Sequence, residues 1–377
     1  MRILHIITGL NTGGAERALL NLLSGGLGSS QELAVLSLQD DGTVGSSIRQ
    51  LGVPVFALGM QRGLPSLKNL NRLFQIVREI RPNVIQGWMY HGNIAASFAS
   101  MMAQRNSAVS WNVRHSLYDL KEERPLTRQI IRGNRLFSGS ADSIIYNSHL
   151  SKSQHEAFGF KDRRGLVIPN GFDLESLVPP RESDRTARAE FAFPANALVV
   201  GHVARFHALK DHASFLKAAA QVAHQRRDVR FLLVGRDVSL QNAALQGIVP
   251  AHLEDRFVFA GERSDVHRLM RAMDVFCLSS VSEAFPNVLG EAMATGVPCV
   301  TTDVGDSAQI VGDTGLVVRP ADSGLLAEGL LSLISMSCDE RRKLGTAARQ
   351  RIKQRYSLGK VVGQYEKLYE ELIRRKN

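Results

Sequence analysis

Short apolar runs rich in Val and Ile alternate with helix-period stretches along almost the whole chain. The runs lack the every-second-residue polarity of half-exposed strands, so they predict strands that are buried on both faces. Helical stretches separate them, for example 67–80, which carries its apolar side chains on one face. This alternation predicts a doubly wound α/β fold with a parallel sheet. In the first half the runs lie near residues 2–8, 32–38, 53–58, 83–87, 108–112, 143–147 and 165–169.

The alternation pauses once, near the middle of the chain. A polar stretch with Pro179 and Pro180 continues to about Asp184 and predicts an interdomain linker. A second series of strand candidates follows, and 377 residues suit two such domains. The second series lies near residues 197–203, 230–235, 256–260, 274–278, 297–302 and 315–318. We expect domains at 1–177 and 178–355, and a C-terminal helix at 356–377 that packs back on the N-terminal domain.

The chain carries a formal net charge of +10, which favours polyanionic partners such as phosphorylated small molecules or an anionic membrane. A basic surface that only aids solubility is the alternative. Nucleic acid is not expected as a partner, because the sequence has no basic run with interleaved aromatic residues.

The cysteines and the N-terminus indicate where the chain resides. Cys277, Cys299 and Cys338 lack the spacing of metal ligands or of a disulfide framework, which suggests a reducing compartment. Cys277 and Cys299 lie in apolar strand-like runs, so we expect these two in the core. The first apolar run is too short for a signal peptide, and no 18 apolar residues run together. We therefore expect a cytoplasmic protein.

A glycine-containing loop, TGLNTGGAER at residues 8–17, follows the first strand. Gly13 and Gly14 permit close approach of a ligand, and the helix that follows turns its positive end towards it. The spacing differs from G-x-G-x-x-G, which disfavours a nicotinamide cofactor. A tight turn without a ligand is the alternative. His91 follows the fourth strand, where ligands sit in such sheets, although a single histidine is more often structural.

Two cations and two acids follow strand ends in the second series. Arg205 and Lys210 flank one loop, which suits a diphosphate, although a solvated pair of charges is equally compatible. Glu283 and Glu291 lie eight residues apart within 282–298, around a helix that starts near residue 287. Free N–H groups at a helix start suit a phosphate, and a carboxylate there suits sugar or ribose hydroxyls. Two solvated acids are the alternative, which the apolar surroundings disfavour.

Taken in order, these motifs resemble glycosyltransferase family 4, a family of retaining enzymes. The resemblance rests on the Gly-Gly pair, the Arg205/Lys210 loop, and Glu-x7-Glu followed by Ala-x-Ala-x-Gly-x-Pro. The segments NGFD at 170–173, FAGERSDV at 259–266 and GDTGLVV at 312–318 also match. The resemblance covers nearly the whole chain. It implies a GT-B fold with two Rossmann-like domains facing a central cleft.

The resemblance implies a role for each motif. Arg205 and Lys210 would hold the donor diphosphate, Glu291 the ribose hydroxyls, and His91 and Glu283 would face the sugar. We expect His91, Glu283, Arg205 and Lys210 to be the catalytic residues. The expected donor-binding residues are Gly13, Gly14, Arg205, Lys210, Arg263, Glu283, Phe285, Pro286, Asn287, Val288, Leu289 and Glu291.

Two of these assignments concern the base and the backbone. Arg263 would contact the base, and backbone amides of 285–289 would contact sugar hydroxyls or phosphate. The sequence departs from common members at Asp211, where many have Gly, and in lacking a glycine beside Glu283. The second departure leaves the identity of the donor sugar open.

The expected reaction is transfer of a sugar, with retention, from a nucleotide-diphosphate donor, most commonly UDP-linked in the family. The acceptor would be a glycan or polyprenyl-linked lipid in the synthesis of bacterial surface polysaccharide, such as lipopolysaccharide, or of glycolipid. Cations and helix N-termini stabilise the departing diphosphate, so we expect no metal and no cofactor besides the co-substrate. The alternatives are a non-catalytic nucleotide-sugar- or carbohydrate-binding module, and a sugar epimerase or phosphorylase of the same fold.

Cationic residues of the first domain are expected on the acceptor and membrane side. Residues 114–137 contain six Lys or Arg and three acidic residues, a composition that suits anionic lipid or a lipid-linked phosphate. A solvated helix face is the alternative. We expect peripheral contact with the inner face of the cell membrane. The residues are Arg62, Lys68, Arg72, Arg114 and His115.

Overall fold

The chain forms two compact units in its computed structural model. The first consists of Met1–Gly171 and Leu358–Asn377, and the second of Phe172–Ser357. The structure describes residues 1–11, 13–29, 31–61, 66–103, 106–118, 120, 125–179 and 185–376, with the side chains of 185 and 186 left out.

Parallel strands and the helices between them build both units. The strands are β1 (Arg2–Ile7), β2 (Glu32–Ser37), β3 (Val55–Ala57), β4 (Val84–Trp88), β5 (Ala108–Val113), β6 (Ser143–Tyr146), β7 (Gly165–Val167), β8 (Leu198–Val203), β9 (Val229–Val234), β10 (Phe257–Phe259), β11 (Val275–Leu278), β12 (Cys299–Thr302) and β13 (Leu316–Val318). The helices are α1 (Gly14–Ser24), α2 (Gly42–Gln50), α3 (Leu67–Ile80), α4 (Met89–Met102), α5 (Pro125–Phe137), α6 (His149–Phe158), α7 (Arg185–Glu190), α8 (His212–Gln225), α9 (Val266–Met270), α10 (Asn287–Ala294), α11 (Ser307–Val311), α12 (Ser323–Ser335), α13 (Cys338–Tyr356) and α14 (Leu358–Lys376).

The first unit contains a seven-stranded sheet in the order β3-β2-β1-β4-β5-β6-β7, with every pairing parallel. Alternate strand residues point to opposite faces, and each face is covered by helices. Helices α3, α4 and α5 pack on one face, where Leu73 and Ile131 are buried. Helices α1 and α14 pack on the other, where Leu19 and Tyr365 are buried. This two-sided burial explains why the strands read as continuous apolar runs.

The second unit repeats this architecture with a six-stranded parallel sheet in the order β10-β9-β8-β11-β12-β13. Helices α8 and α12 cover one face through Phe215 and Leu330. Helices α9, α10, α11 and α13 cover the other through residues such as Met293 and Ile352. The predicted doubly wound α/β class is therefore confirmed for both units.

The boundary between the units lies after Gly171 rather than after residue 177. Phe172 already belongs to the second unit, because its ring stacks on Phe285 with centroids 6.1 Å apart and its N–H donates to the Tyr356 carbonyl at 2.8 Å. The chain returns to the first unit at Leu358, and α14 buries Tyr365 and Tyr369 completely in that unit's core. Within the described ranges, no helix is both long and apolar enough to cross a membrane.

Candidate active site

The strand order of the second unit opens a crevice at one position. The chain leaves β8 towards β9 and leaves β11 towards β12, so the loops after these adjacent strands diverge at their carboxyl ends. Ligands of open α/β sheets bind at such a switch point. The loop with Arg205 and Lys210 follows β8, and the loop with Glu283 follows β11, so the structure brings these predicted residues to the same crevice.

Backbone hydrogen bonds fix the loop after β8. Ala204 N donates to Val234 O at 3.0 Å, and Phe206 N donates to Arg236 O at 2.8 Å. The close approach requires Gly235, since a Cβ there would lie 1.9 Å from the Ala204 carbonyl oxygen. A short 3-10 turn then ends at Lys210. The position of Lys210 is thereby set by the strand framework.

Lys210 and Glu283 form an ion pair, with Nζ 2.5 Å from Oε1. Ser280 Oγ donates to the same carboxylate oxygen at 2.7 Å. The two loops are tied together as well, because Val281 N donates to Leu209 O at 2.9 Å and Ser279 Oγ to Lys210 O at 2.9 Å. The pairing places a cation and a carboxylate side by side at the crevice, and Ser280 is a partner that the sequence did not single out.

Asp211, the residue that replaces the more common glycine, starts α8. Its backbone is left-handed, with φ 45° and ψ 54°, a conformation that glycine adopts more easily. Its carboxylate accepts the Ser214 N–H at 3.1 Å and so caps the helix. Asp211 therefore adopts a backbone conformation less favourable for it than for glycine, but it supplies a helix cap. The position of Lys210 is unchanged.

Helix α10 begins directly after the Glu283 loop. Pro286 precedes its first residue and no side chain caps this end, so the positive end of the helix dipole lies beside the crevice. The side chains of Phe285 and Leu289 are buried in the core, which leaves only their backbone for a ligand. Pro286 has no N–H, so it supplies no amide, and its carbonyl accepts the Leu289 N–H at 3.2 Å. Asn287 and Val288 supply the first two helical amides, and Glu291 lies one turn further along.

Arg263 is held in an ion-pair cluster. It contacts Asp265 at 2.8 Å and Glu190 at 2.7 Å, and Arg268 binds the same two acids. The hydrogen bonds from Arg263 hold the pKa of the Asp265 carboxyl well below its usual range. The expected base contact would thus engage a guanidinium that already has two carboxylate partners. By contrast, Arg205 is exposed and makes no ion pair with any residue that the structure describes.

In the first unit, Gly13 and Gly14 stand at the carboxyl end of β1. Gly13 precedes α1 in an extended conformation. A Cβ on Gly13 would lie 2.3 Å from Oε2 of Glu16, so the glycine leaves room for this carboxylate, whereas Gly14 meets no atom within 4 Å. Burial raises the pKa of Glu16, to which the sequence argument gave no role.

His91 lies in the first turn of α4, at the carboxyl end of β4. This helix approaches the sheet closely, because a Cβ on Gly92 would lie 2.5 Å from the Ile6 carbonyl oxygen. The preceding Met89 adopts a left-handed backbone with φ 61°, which is strained for a non-glycine residue. Desolvation lowers the pKa of His91, which favours its neutral form.

The predicted acceptor-side residues differ in how far they are open to solvent. Lys68 and Arg72 are exposed on α3, while Arg62 lies outside the described residues.

Arg114 and His115 contact internal partners instead of forming an open cationic surface. The Arg114 guanidinium donates to Tyr365 Oη at 3.1 Å and also to Asn170 Oδ1, and it lies 5.5 Å from the centre of the Trp88 ring. His115 packs edge-on against Tyr90, with ring centroids 6.3 Å apart.

Comparison with protein families agrees with the motifs. The family model described as Glycosyltransferase Family 4 matches residues 12–176, and the model described as Glycosyl transferases group 1 matches residues 197–336. EpsF of Bacillus subtilis (strain 168), named as a glycosyltransferase, is 30% identical over 351 residues, which cover 89% of this chain and 84% of EpsF. N-acetyl-alpha-D-glucosaminyl L-malate synthase of Bacillus anthracis is 31% identical over 239 residues, 62% of this chain and 61% of that protein.

Solved structures agree with the fold over the whole chain. Anabaena HepE in complex with UDP superposes with a TM-score of 0.84 at 23% identity, covering 98% of this chain and 100% of HepE. A glycosyltransferase from Rickettsia africae ESF-5 superposes with a TM-score of 0.83 at 16% identity, covering 99% and 98% of the two chains.

Proposed function

The chain belongs to glycosyltransferase family 4, and from that premise we propose that it transfers a sugar from a UDP-linked donor to a glycan or lipid-linked acceptor with retention of configuration. The observation that carries the proposal is the Lys210–Glu283 pair at the switch point of the second unit, beside the start of α10. A cation, a carboxylate and helix amides at one crevice suit a ligand with a diphosphate and sugar hydroxyls.

Support for a UDP-linked donor comes from neighbours and relatives. HepE is solved in complexes with UDP and with UDP-glucose. A relative from Escherichia coli, 29% identical over 140 residues, is named as a galactosyltransferase that uses UDP-Gal. We assign the diphosphate to Arg205 and Lys210, the ribose hydroxyls to Glu291, and the phosphate or sugar hydroxyls to the amides at the start of α10.

Charge development explains how these residues would act. When the bond between the anomeric carbon and the phosphate oxygen breaks, negative charge grows on the diphosphate and positive charge on the sugar ring. Lys210 and Arg205 stabilise the first, and the Glu283 carboxylate near the ring stabilises the second. The acceptor hydroxyl attacks from the face that the diphosphate leaves, and its proton passes to the leaving phosphate oxygen. We do not assign Glu283 as a covalent nucleophile.

The first unit supplies the remaining assignments. Gly13 and Gly14 are assigned to the diphosphate and His91 to the sugar, where its neutral imidazole can donate one hydrogen bond. The exposed Lys68 and Arg72 are assigned to an anionic or lipid-linked acceptor at the inner face of the membrane. The Escherichia coli relative, which is named for a diphosphoundecaprenol acceptor, supports this class. The pathway proposed is the synthesis of bacterial surface polysaccharide or glycolipid.

Nucleotide binding tests the donor site. We expect UDP, rather than GDP or ADP, to bind the wild type, and Lys210→Ala to weaken binding about 10- to 100-fold because a charge-assisted contact is lost. Glu291→Ala should weaken binding through the ribose. Lys217→Ala is the matched control, because Lys217 is an exposed lysine on α8.

Isothermal titration calorimetry measures these affinities, and NMR of the product's anomeric proton then tests retention. The donor-site proposal fails if none of the three nucleotides binds, or if Lys210→Ala binds UDP as tightly as the control.

A further inference from the structure

Four large apolar side chains protrude from the first unit near the ends of α4 and α5. The helices run side by side: Ile94 Cδ1 lies 3.7 Å from the position of a Cβ on Gly133, and the hydroxyls of Ser97 and Ser140 are 2.8 Å apart. Both helices return from the carboxyl edge of the parallel sheet, so their last turns meet at its amino edge. The side chains, here called the amino-edge patch, are Phe98, Met101, Leu136 and Phe137, which are 39%, 77%, 72% and 62% exposed.

A cationic cavity opens at the same edge of the sheet. Its volume is about 860 Å³, and five of its lining residues are Lys or Arg against two Asp. One acid, Asp142, is already bound, since its Oδ2 accepts the Val109 N–H at 2.9 Å and lies 3.0 Å from Lys376 Nζ. Lys161 and Arg163 are exposed and form no ion pair with the residues that the structure describes. The cavity therefore offers cations to an outside anion.

The patch and the cavity adjoin each other. Lys161 N donates to Ser138 Oγ at 3.2 Å, and Lys161 Cε lies 3.8 Å from the position of a Cβ on Gly139. Ser138 and Gly139 directly follow Phe137, the last residue of α5. Protruding apolar side chains with cations immediately beside them form a surface that pairs apolar burial with attraction of negative charge.

We propose that this amino edge of the first unit docks on an anionic phospholipid bilayer. The amino-edge patch enters the boundary of the acyl chains, and Lys161 and Arg163 bind phosphate head groups. A second copy of the chain would place one cationic rim against another, which opposes a symmetric dimer through this surface. A soluble phosphate would neutralise the cavity but leave the apolar side chains in water.

The proposed docking surface lies away from the residues of the first unit that are assigned to the donor. Gly13, Gly14 and His91 stand at the carboxyl ends of β1 and β4, whereas the patch lies at the opposite edge of the same sheet. The surface thus differs from the α3 cations assigned above to the acceptor. Docking requires no sugar transfer, so the proposal stands or falls separately from the donor site.

Vesicle flotation tests the proposal with the full chain. Vesicles of phosphatidylglycerol and phosphatidylcholine are compared with vesicles of phosphatidylcholine alone. The test variants are Met101→Ser with Phe137→Ser, and Lys161→Glu with Arg163→Glu. The control, Leu240→Ser with Lys217→Glu, alters an apolar residue that is 42% exposed and an exposed lysine on α8, both in the second unit and neither assigned to a ligand.

We expect the wild type to prefer the anionic vesicles and each test variant to bind them about tenfold more weakly or worse. The control should bind as the wild type does. The proposal is overturned if the wild type shows no preference for anionic vesicles, or if the control loses binding while both test variants keep it. A dimer in sedimentation that Met101→Ser with Phe137→Ser dissociates would also overturn it, in favour of a second copy.

Discussion

At the scale of single residues, Gly290 shows how the NGFD motif joins the site to the core of the second unit. A Cβ on Gly290 would lie 2.0 Å from Cζ of Phe172, which also stacks on Phe285. The glycine therefore lets α10 settle against Phe172. Since α10 presents its amino end to the crevice, packing behind the helix sets the position of its amides.

Gly290→Ala should destabilise the second unit by about 1–3 kcal/mol, because the methyl group forces Phe172 out of its contact. Gly363→Ala on α14 is the matched control, as its Cβ meets nothing within 4 Å. That change should be neutral or stabilise by up to about 1 kcal/mol. Urea unfolding followed by far-UV circular dichroism measures both. Equal midpoints for the two variants would contradict the packing role of Gly290.

The sequence singles out charged residues of the candidate site, but it does not show how they pair. Lys210, Glu283 and Glu291 stand out because charged side chains in apolar surroundings follow predicted strand ends. The Lys210–Glu283 contact joins residues 73 positions apart, and local patterns carry no information on it. The same limit applies to Arg114 and Arg263, whose partners Tyr365 and Glu190 are remote in sequence. The sequence therefore does not show that the guanidinium groups of both arginines already have protein partners, which makes them less available to a ligand.

At the scale of elements, the strand predictions are confirmed. Each observed strand lies within two residues of its predicted bounds, because burial on both faces leaves a continuous apolar run in the sequence. The end of the first unit was less predictable. Residues 172–177 precede the prolines that suggested a linker, yet Phe172 and Leu177 pack in the second core. Composition marks a polar stretch, but only packing decides which core a residue joins.

Each central strand also carries a buried histidine, His5 on β1 and His202 on β8. Burial lowers the pKa of each to about 3, and it lowers the pKa of His155 in the first unit to about 4. Their tautomers are fixed by single contacts: Trp88 Nε1 donates to His5 Nδ1 at 3.1 Å, and His202 Nδ1 donates to Cys277 O. All three rings are neutral in the folded chain at pH 7.

We expect stability to fall as the pH drops below about 6.5, the ordinary histidine pKa. Below that pH the histidines of the unfolded chain take up protons while the buried histidines of the folded chain stay neutral. The free energy of unfolding therefore continues to fall until the pH approaches 4 to 3. At pH 5 each histidine should remove about 2 kcal/mol. Urea unfolding at pH 7 and pH 5 measures this. His202→Gln should reduce the pH dependence of the second unit, whereas the exposed His252→Gln should not; unchanged midpoints at the two pH values would refute the argument.

At the scale of the whole molecule, the chain builds two cores and returns to the first for its last helix. Tyr369 Oη donates to Gln86 Oε1 at 2.6 Å across 283 positions of sequence, so the first unit is complete only when α14 is in place. The second unit is one continuous segment, Phe172–Ser357. Both tryptophans, Trp88 and Trp111, are buried in the first unit, so their fluorescence reports that unit alone.

This division predicts where a nucleotide acts. UDP without its sugar should bind chiefly the second unit, through Lys210, Glu291 and the start of α10. At 100 times its dissociation constant it should stabilise that unit by about 2.7 kcal/mol. The transition seen by far-UV circular dichroism or calorimetry should then move to higher temperature, while the tryptophan-fluorescence transition moves much less. Lys210→Ala should abolish most of the shift. If the two transitions are separate without ligand and UDP shifts the fluorescence transition as far as the calorimetric one, the nucleotide does not act chiefly on the second unit.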